Sequence, residues 1–237
     1  MTLRRFKGPG INVVVGNEAS PGEDEKLESW CLPKALLSHH SAFLKAACTR
    51  DFKEREDNCI KLPTDDPAIF ALFVEWMIYQ KYTLPLFAGR RANLHAETWV
   101  LGDKLMSPGF KNYAMGNLYT SYSPSFTLFA SRAVSAEHFA YACSNAMVGS
   151  PLRRFYVDFV ATYYGESSRV TSSTEEWDEV MQEHDDVRIF LLHALRAAPI
   201  QRKFLKDVVN YMEKDAGVLA KNHQLQTNTP EKKKTTL

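Results

Sequence analysis

Cysteine is scarce in this sequence, and the four that occur, Cys31, Cys48, Cys59 and Cys143, lie far apart with no C-x-x-C pair among them. That spacing excludes a zinc ribbon or a thioredoxin-like redox centre. Each thiol has apolar neighbours in sequence, where free cysteine behaves as a small hydrophobe. All four are therefore expected to be buried thiols in a reducing compartment. Long apolar runs are missing too, since none approaches the roughly 20 residues of a membrane span. The opening MTLRRFKGPG has basic residues with no apolar stretch behind them, unlike a secretory signal. Charge of one sign is absent as a surplus: 29 basic residues face 28 acidic ones, a net charge of +1. No global field would recruit nucleic acid or a membrane. There is no G-x-x-x-x-G-K-[ST], no G-x-G-x-x-G and no G-x-S-x-G. No repeat of about 20–50 residues is visible, which excludes kelch or ankyrin arrays.

What is present begins with INVVVG, Ile11 to Gly16, a β-branched run that reads as a strand. An acidic loop, Asn17 to Ser29, separates it from Trp30–Leu32, the expected paired strand. Pro33–Ser38 and Ser41–Thr49 read as two short helices, with Ser41 capping the second. A charged loop then leads into a short strand, Cys59 to Leu62. Asp66 and Pro67 open a longer helix to Gln80, because Pro costs no hydrogen bond at the first position and Asp can cap the free N–H groups. Its apolar residues Ile69, Phe70, Phe73, Trp76 and Met77 fall at helical spacing. Phe73, Trp76, Met77, Leu36, Leu37 and Phe43 form the expected core. Leu94–Leu105, capped by Asn93, and the helix after Ser107-Pro108 make an antiparallel hairpin. Phe110, Ala114, Leu118 and Tyr122 trace one stripe of it.

The ordered set of Lys34, Ala35, Leu36, Leu37, Ser41, Phe43, Phe52, Glu54, the Ile60–Leu62 strand and the helix through Trp76 and Tyr79 resembles the BTB/POZ domain. The stretch WVLGDKLMSPGFKNYAMGNLY, Trp99 to Tyr119, is similar to the closing hairpin of that domain in the form widespread among fungal proteins. The resemblance covers about half of the chain. It implies a small β-sheet flanked by helices over residues 1–122; with the helical pattern that the residues themselves show over 123–220 and the polar composition of 221–237, the expectation is an α+β fold with an all-α C-terminal extension and a disordered tail.

The resemblance also implies a function. Adaptors of this kind dock a cullin through an apolar-x-Glu tripeptide, and Phe52-Lys53-Glu54 stands in its place. Tyr79 matches a position on the same cullin surface. A homodimer is implied through the first short helix, with Lys34, Leu36 and Leu37 at the interface. The expected function is thus a protein–protein interaction module, an adaptor for a cullin-based ubiquitin ligase in the cytoplasm or nucleus. The alternative is a self-associating scaffold in transcription. Repressor-type members carry an acid at the first strand, which Gly10–Asn12 does not supply, although Lys45 remains. Pro33 also departs from the pattern, since many members have His there.

Beyond Ser123-Pro124 the pattern is helical. Ser135 and Ser150-Pro151 open two helices, Gly149 and Gly165 end them, and Trp177–Glu183 and Val187–Arg196 follow. The last helix is expected over Gln201–Lys214, with Phe204, Leu205, Val208, Val209 and Met212 inward. Arg153 and Arg154 read as a solvent face or a contact for an acidic partner. His184-Asp185-Asp186 is the one suggestive polar string, but its acids are better explained as caps on the next helix. His39 and His40 are adjacent and would diverge by about 100° on a helix, so a shared metal does not fit them. Lys232-Lys233-Lys234 reads as a solvated tail or a nuclear-import fragment. The chain is expected to hold no metal or cofactor and not to be an enzyme.

Overall fold

The computed structural model describes residues 3–17, 27–49, 58–84, 93–122 and 133–214. Most of the acidic loop, Phe52, Glu54 and the tail with Lys232–Lys234 lie outside the described residues. The architecture is mixed α and β, with a three-stranded sheet flanked by helices.

Strands β1 (Gly10–Val15) and β2 (Glu28–Pro33) pair antiparallel, Ile11 opposite Leu32 and Val13 opposite Trp30. Strand β3 (Cys59–Leu62) lies parallel to β1 on its other side, Val13 opposite Ile60 and Val15 opposite Leu62. Ile11, Val13, Val15, Ile60 and Leu62 all point into the core, while Asn12 and Lys61 face out. That alternation sets the register, because a slip of one residue would move every one of these side chains to the wrong face. A parallel pair needs a crossover. Here α1 (Lys34–His40) and α2 (Ala42–Thr49) form part of it.

Ser41 joins those two helices. Its N–H donates to Leu37 O and closes α1, while its Oγ accepts from the N–H of Leu44 at 2.9 Å and so caps α2. Helix α3 (Pro67–Tyr79) begins as its sequence predicts: Asp66 Oδ1 accepts from the N–H of Ala68 at 2.7 Å. It stops at Gln80, whose φ of 58° is left-handed and whose amide donates back to Trp76 O. Phe73 and Trp76 meet Phe110 with ring centroids 5.0 and 5.3 Å apart. Phe43 is a correction. It is 37 % exposed, because it is Leu44 and Cys48 that α2 turns inward. Cys31 is a second correction: it is exposed, on the face of β2 turned away from the core.

Helices α4 (Leu94–Lys104) and α5 (Pro108–Ser121) make the expected hairpin. They approach so closely that a Cβ on Gly102 would sit 2.9 Å from Lys111 Cγ and 3.1 Å from the Phe110 ring. The hairpin serves two cores. Leu101, Leu105 and Phe110 face the sheet, and Trp99, Ala114 and Leu118 face the helices that follow. Those are α6 (Ala136–Asn145), α7 (Pro151–Tyr163), α8 (Thr174–Glu183) and α9 (Asp185–Ala194). Ser135, Ser150 and Ser173 cap the first three of them with side-chain oxygens. Asn93 does not cap α4. Its Oδ1 accepts instead from the buried Tyr156 hydroxyl, which ties the start of α4 to α7.

The expected helix over Gln201–Lys214 is not formed. Two short 3₁₀ turns, Pro199–Gln201 and Val208–Tyr211, flank an irregular segment. Its amides are satisfied from outside: Leu205 N–H donates to Thr162 Oγ1 and Lys206 N–H to the Tyr211 hydroxyl. Further on, Asn112 pairs with both the N–H and the C=O of Glu213. Val209 is consequently 68 % exposed, and the inward residue is Tyr211.

Candidate interaction surface

The C-terminal end of α1, the corner between α4 and α5, and the second half of α3 come together. Ser41 Oγ donates to Leu105 O at 2.5 Å, and Ala42 N–H donates to Met106 O at 3.3 Å. Trp76 packs edge-on against His40 at a ring separation of 5.1 Å, and Gly109 leaves room for the indole: a Cβ there would lie 3.2 Å from it. Met106 turns the corner with a left-handed φ of 51°. Its side chain is 59 % exposed, and Phe43, the residue after Ala42 at the start of α2, is 37 % exposed. Tyr79 lies one turn beyond Trp76 and is 65 % exposed. Phe43, Met106 and Tyr79 are thus large exposed side chains on the elements that meet at this corner, which makes it a candidate interaction surface.

Burial, then His39, then Arg5 push the His40 imidazole down to about 4, so it is uncharged at neutral pH. Burial, then Arg5, also lowers His39. An uncharged imidazole here avoids placing a cation against the Trp76 edge without a carboxylate to balance it.

Of the residues expected at the cullin contact, Tyr79 is exposed at the end of α3, and Phe52 and Glu54 belong to residues 50–57, which join α2 to β3 outside the described residues. The three residues expected at a dimer interface part company. Leu36 and Leu37 have no exposed surface, because α1 turns both onto the sheet core, so neither is open to a partner. Lys34 is half-buried at the start of α1, its N–H donating to Pro9 O.

In the polar string His184-Asp185-Asp186 the two acids occupy the first turn of α9, as expected of acids at a helix start. Asp186 also accepts from Arg153 through both carboxylate oxygens, at 2.8 and 2.9 Å, and Asp185 pairs with Arg188 at 2.6 Å. Arg153 is therefore buried rather than on a solvent face, its second nitrogen donating to Cys143 O at 3.0 Å. Sequence reading missed Lys111, which is buried on α5, bonded to Asp103 and Glu213, and set 4.5 Å from the centre of the Trp99 ring. It lies on the same face as the expected stripe, three residues before Ala114, but Glu213, one of the two acids that neutralise it, is distant in sequence.

Among the described residues, no three His, Cys, Asp or Glu side chains group as metal ligands do, and no helix is long and apolar enough to cross a membrane. No protein-family model matches the chain, and no curated protein matches it.

Proposed function

We propose that this chain is a protein–protein interaction module of the BTB/POZ type that acts as an adaptor for a cullin-based ubiquitin ligase. The observation that carries the reading is the exposure of Tyr79 at the α3 end of a corner that also presents Phe43 and Met106. The order of elements supports it: a hairpin, two short helices, a strand parallel to the first, a long apolar helix and a helical hairpin. Residues 50–57, with Phe52 and Glu54, run between α2 and β3, as the apolar-x-Glu segment does in the adaptors that the sequence resembles. Phe52 is the anchor of this surface, Glu54 orients it and Tyr79 completes it. The reading places the chain in the cytoplasm or nucleus.

The same exposed corner favours a second reading, self-association of two copies as a scaffold in transcription. Light scattering at tens of micromolar and cullin capture separate the two. Under the adaptor reading, Phe52→Ala lowers cullin affinity by about 2 kcal/mol, roughly 30-fold, the effect of removing a central anchor. Its melting temperature stays that of the parent. A parent chain that captures no cullin and scatters as a dimer establishes the second reading instead.

A further inference from the structure

Two clefts open on the far side of the molecule, in the helical half. The larger, about 420 Å³, lies between α7 and the segment that follows α9, with Lys203 and Lys206 on its rim. The smaller, about 320 Å³, lies between α7 and α9. Lys206 lines both, so it stands where one cleft passes into the other.

The floor of the larger cleft is aromatic. Tyr119, Phe155, Phe159 and Tyr163 follow one another with ring centroids 5.8, 6.0 and 4.8 Å apart. Phe155 and Phe159 are fully buried, and the two tyrosines are half-exposed towards the opening. Arg169 lies 4.7 Å from the centre of the Tyr163 ring, which helps hold that ring in place.

The rim is cationic. Lys203 and Lys206 are exposed, and neither forms an ion pair among the described residues. Arg202 is occupied by the carbonyls of Ala197, Tyr164 and Leu195. Asp207 is the one carboxylate lining this cleft. In the smaller cleft Arg153 is neutralised by Asp186, Arg154 donates to Asn210 O, and Asp158 faces the charges of both Arg154 and Lys206. The excess of positive charge is thus at the larger cleft, where Lys203 and Lys206 face the single Asp207, in a chain whose net charge is only +1.

We infer that this double cleft receives an acidic segment of a partner protein, with one aromatic side chain of that segment seated on the Tyr119–Tyr163 floor. The larger cleft has the size of a ligand pocket. A side-chain anchor would fill it while neighbouring carboxylates meet Lys203 and Lys206. The passage over Lys206 into a second cleft favours an extended chain over a compact small molecule. This inference rests on the adaptor reading, for which it supplies the client-binding side, on elements other than those of the corner at Tyr79.

The test uses the full chain and a labelled synthetic heptapeptide with a central tryptophan and three aspartates on either side. Anisotropy at low and at physiological salt gives its affinity. The expected result is saturable binding that weakens at least about 10-fold in Lys203→Glu/Lys206→Glu and is unchanged in Lys61→Glu, on the outer face of the sheet. Replacing the tryptophan by alanine weakens the parent complex about 5-fold or more. Both lysines are exposed, so the charge-reversed chain keeps its fold, and its melting temperature checks this. No binding up to about 1 mM, equal binding to the charge-reversed chain, or indifference to the tryptophan each overturns the inference. Displacement of the peptide by an equal concentration of AMP also overturns it and assigns the cleft to a small anionic aromatic. No cullin is present in the assay. Peptide binding without cullin capture sinks the adaptor reading alone, and cullin capture without peptide binding sinks the client cleft alone.

Discussion

The two cores of this protein are built from different materials. The core under the sheet is apolar throughout, from Ile11 and Val13 to Phe73, Trp76 and Phe110. Among the described residues, Lys111, Arg153 and Arg169 are the buried cations, and all three sit at the helical core. Each is compensated where it lies. Lys111 has Asp103 and Glu213, Arg153 has Asp186 and a carbonyl, and Arg169 donates to Tyr122 O at 2.9 Å and covers aromatic rings. Burial of apolar area alone stabilises the first core at about 25 cal/mol per Å². The second adds charge pairs that must stay intact, because a lone buried charge costs far more than a pair contributes.

The sharpest way to break the comparison is through the first core. Trp76 touches Phe73, Phe110 and His40. Trp76→Ala is expected to cost about 3–5 kcal/mol, a large part of the roughly 5–15 kcal/mol that holds a domain together. Urea denaturation measures it. A cost below about 1 kcal/mol would mean that the corner is not packed as described.

The second core predicts a different signature. Asp186→Ala leaves the Arg153 guanidinium buried with one carbonyl partner. The carboxylate is half-exposed, so screening reduces the effect to about 2–3 kcal/mol. Adding Arg153→Met should restore at least half of that loss, because the buried charge leaves with its partner gone. Additive losses in the double variant would show that the pair does not act as one unit.

Proton linkage separates the corner from the rest. His40 has its folded pKa pushed down to about 4, against an ordinary 6.5. The unfolded chain therefore binds a proton first as pH falls. The stability tied to His40 is whole above about pH 6.5 and is lost progressively as pH drops towards 4. Allowing for its partial exposure, the loss is about 1–2 kcal/mol. Melting temperatures from pH 7 to pH 4.5 should fall less steeply in His40→Phe. Parallel curves would remove His40 from the account.

Legibility in the sequence followed the same division. The strands at Ile11 and Ile60, the Ser41 and Asp66 caps, and the stripe through Phe110, Ala114, Leu118 and Tyr122 were all readable, because local pattern and tertiary burial agree there. Phe43 was misjudged as core, since which face of a short helix is covered depends on neighbours that are distant in sequence, whereas Leu36 and Leu37 are buried as expected of the core. Arg153 and Asp186 looked like surface charges because their pairing spans two helices. Of the residues expected at a cullin contact, Tyr79 alone lies among the described residues, and the exposure of Met106 had no signal: its corner depends on a left-handed turn that nothing in Leu105–Ser107 announces.

The smallest expected effect tests the largest misreading. Apolar spacing at Phe204, Leu205, Val208, Val209 and Met212 predicts a helix with Val209 facing in, whereas the structure places Val209 in solvent on a 3₁₀ turn. The turn exists because Tyr211, two residues on, is drawn into the core and bonds both Lys206 N–H at 3.0 Å and Asp158 Oδ2 at 2.8 Å. A helix would supply those amides from within and leave the Tyr211 hydroxyl without this role. Val209→Asp should therefore change stability by no more than about 0.5 kcal/mol, as exposed substitutions do. Tyr211→Phe should cost about 1–2 kcal/mol through the two lost hydrogen bonds. The order reverses if the segment is helical: Val209→Asp would then bury a carboxylate and cost well over 2 kcal/mol. Denaturation of these two variants side by side decides between an irregular strap held by side chains and a helix held by its own backbone.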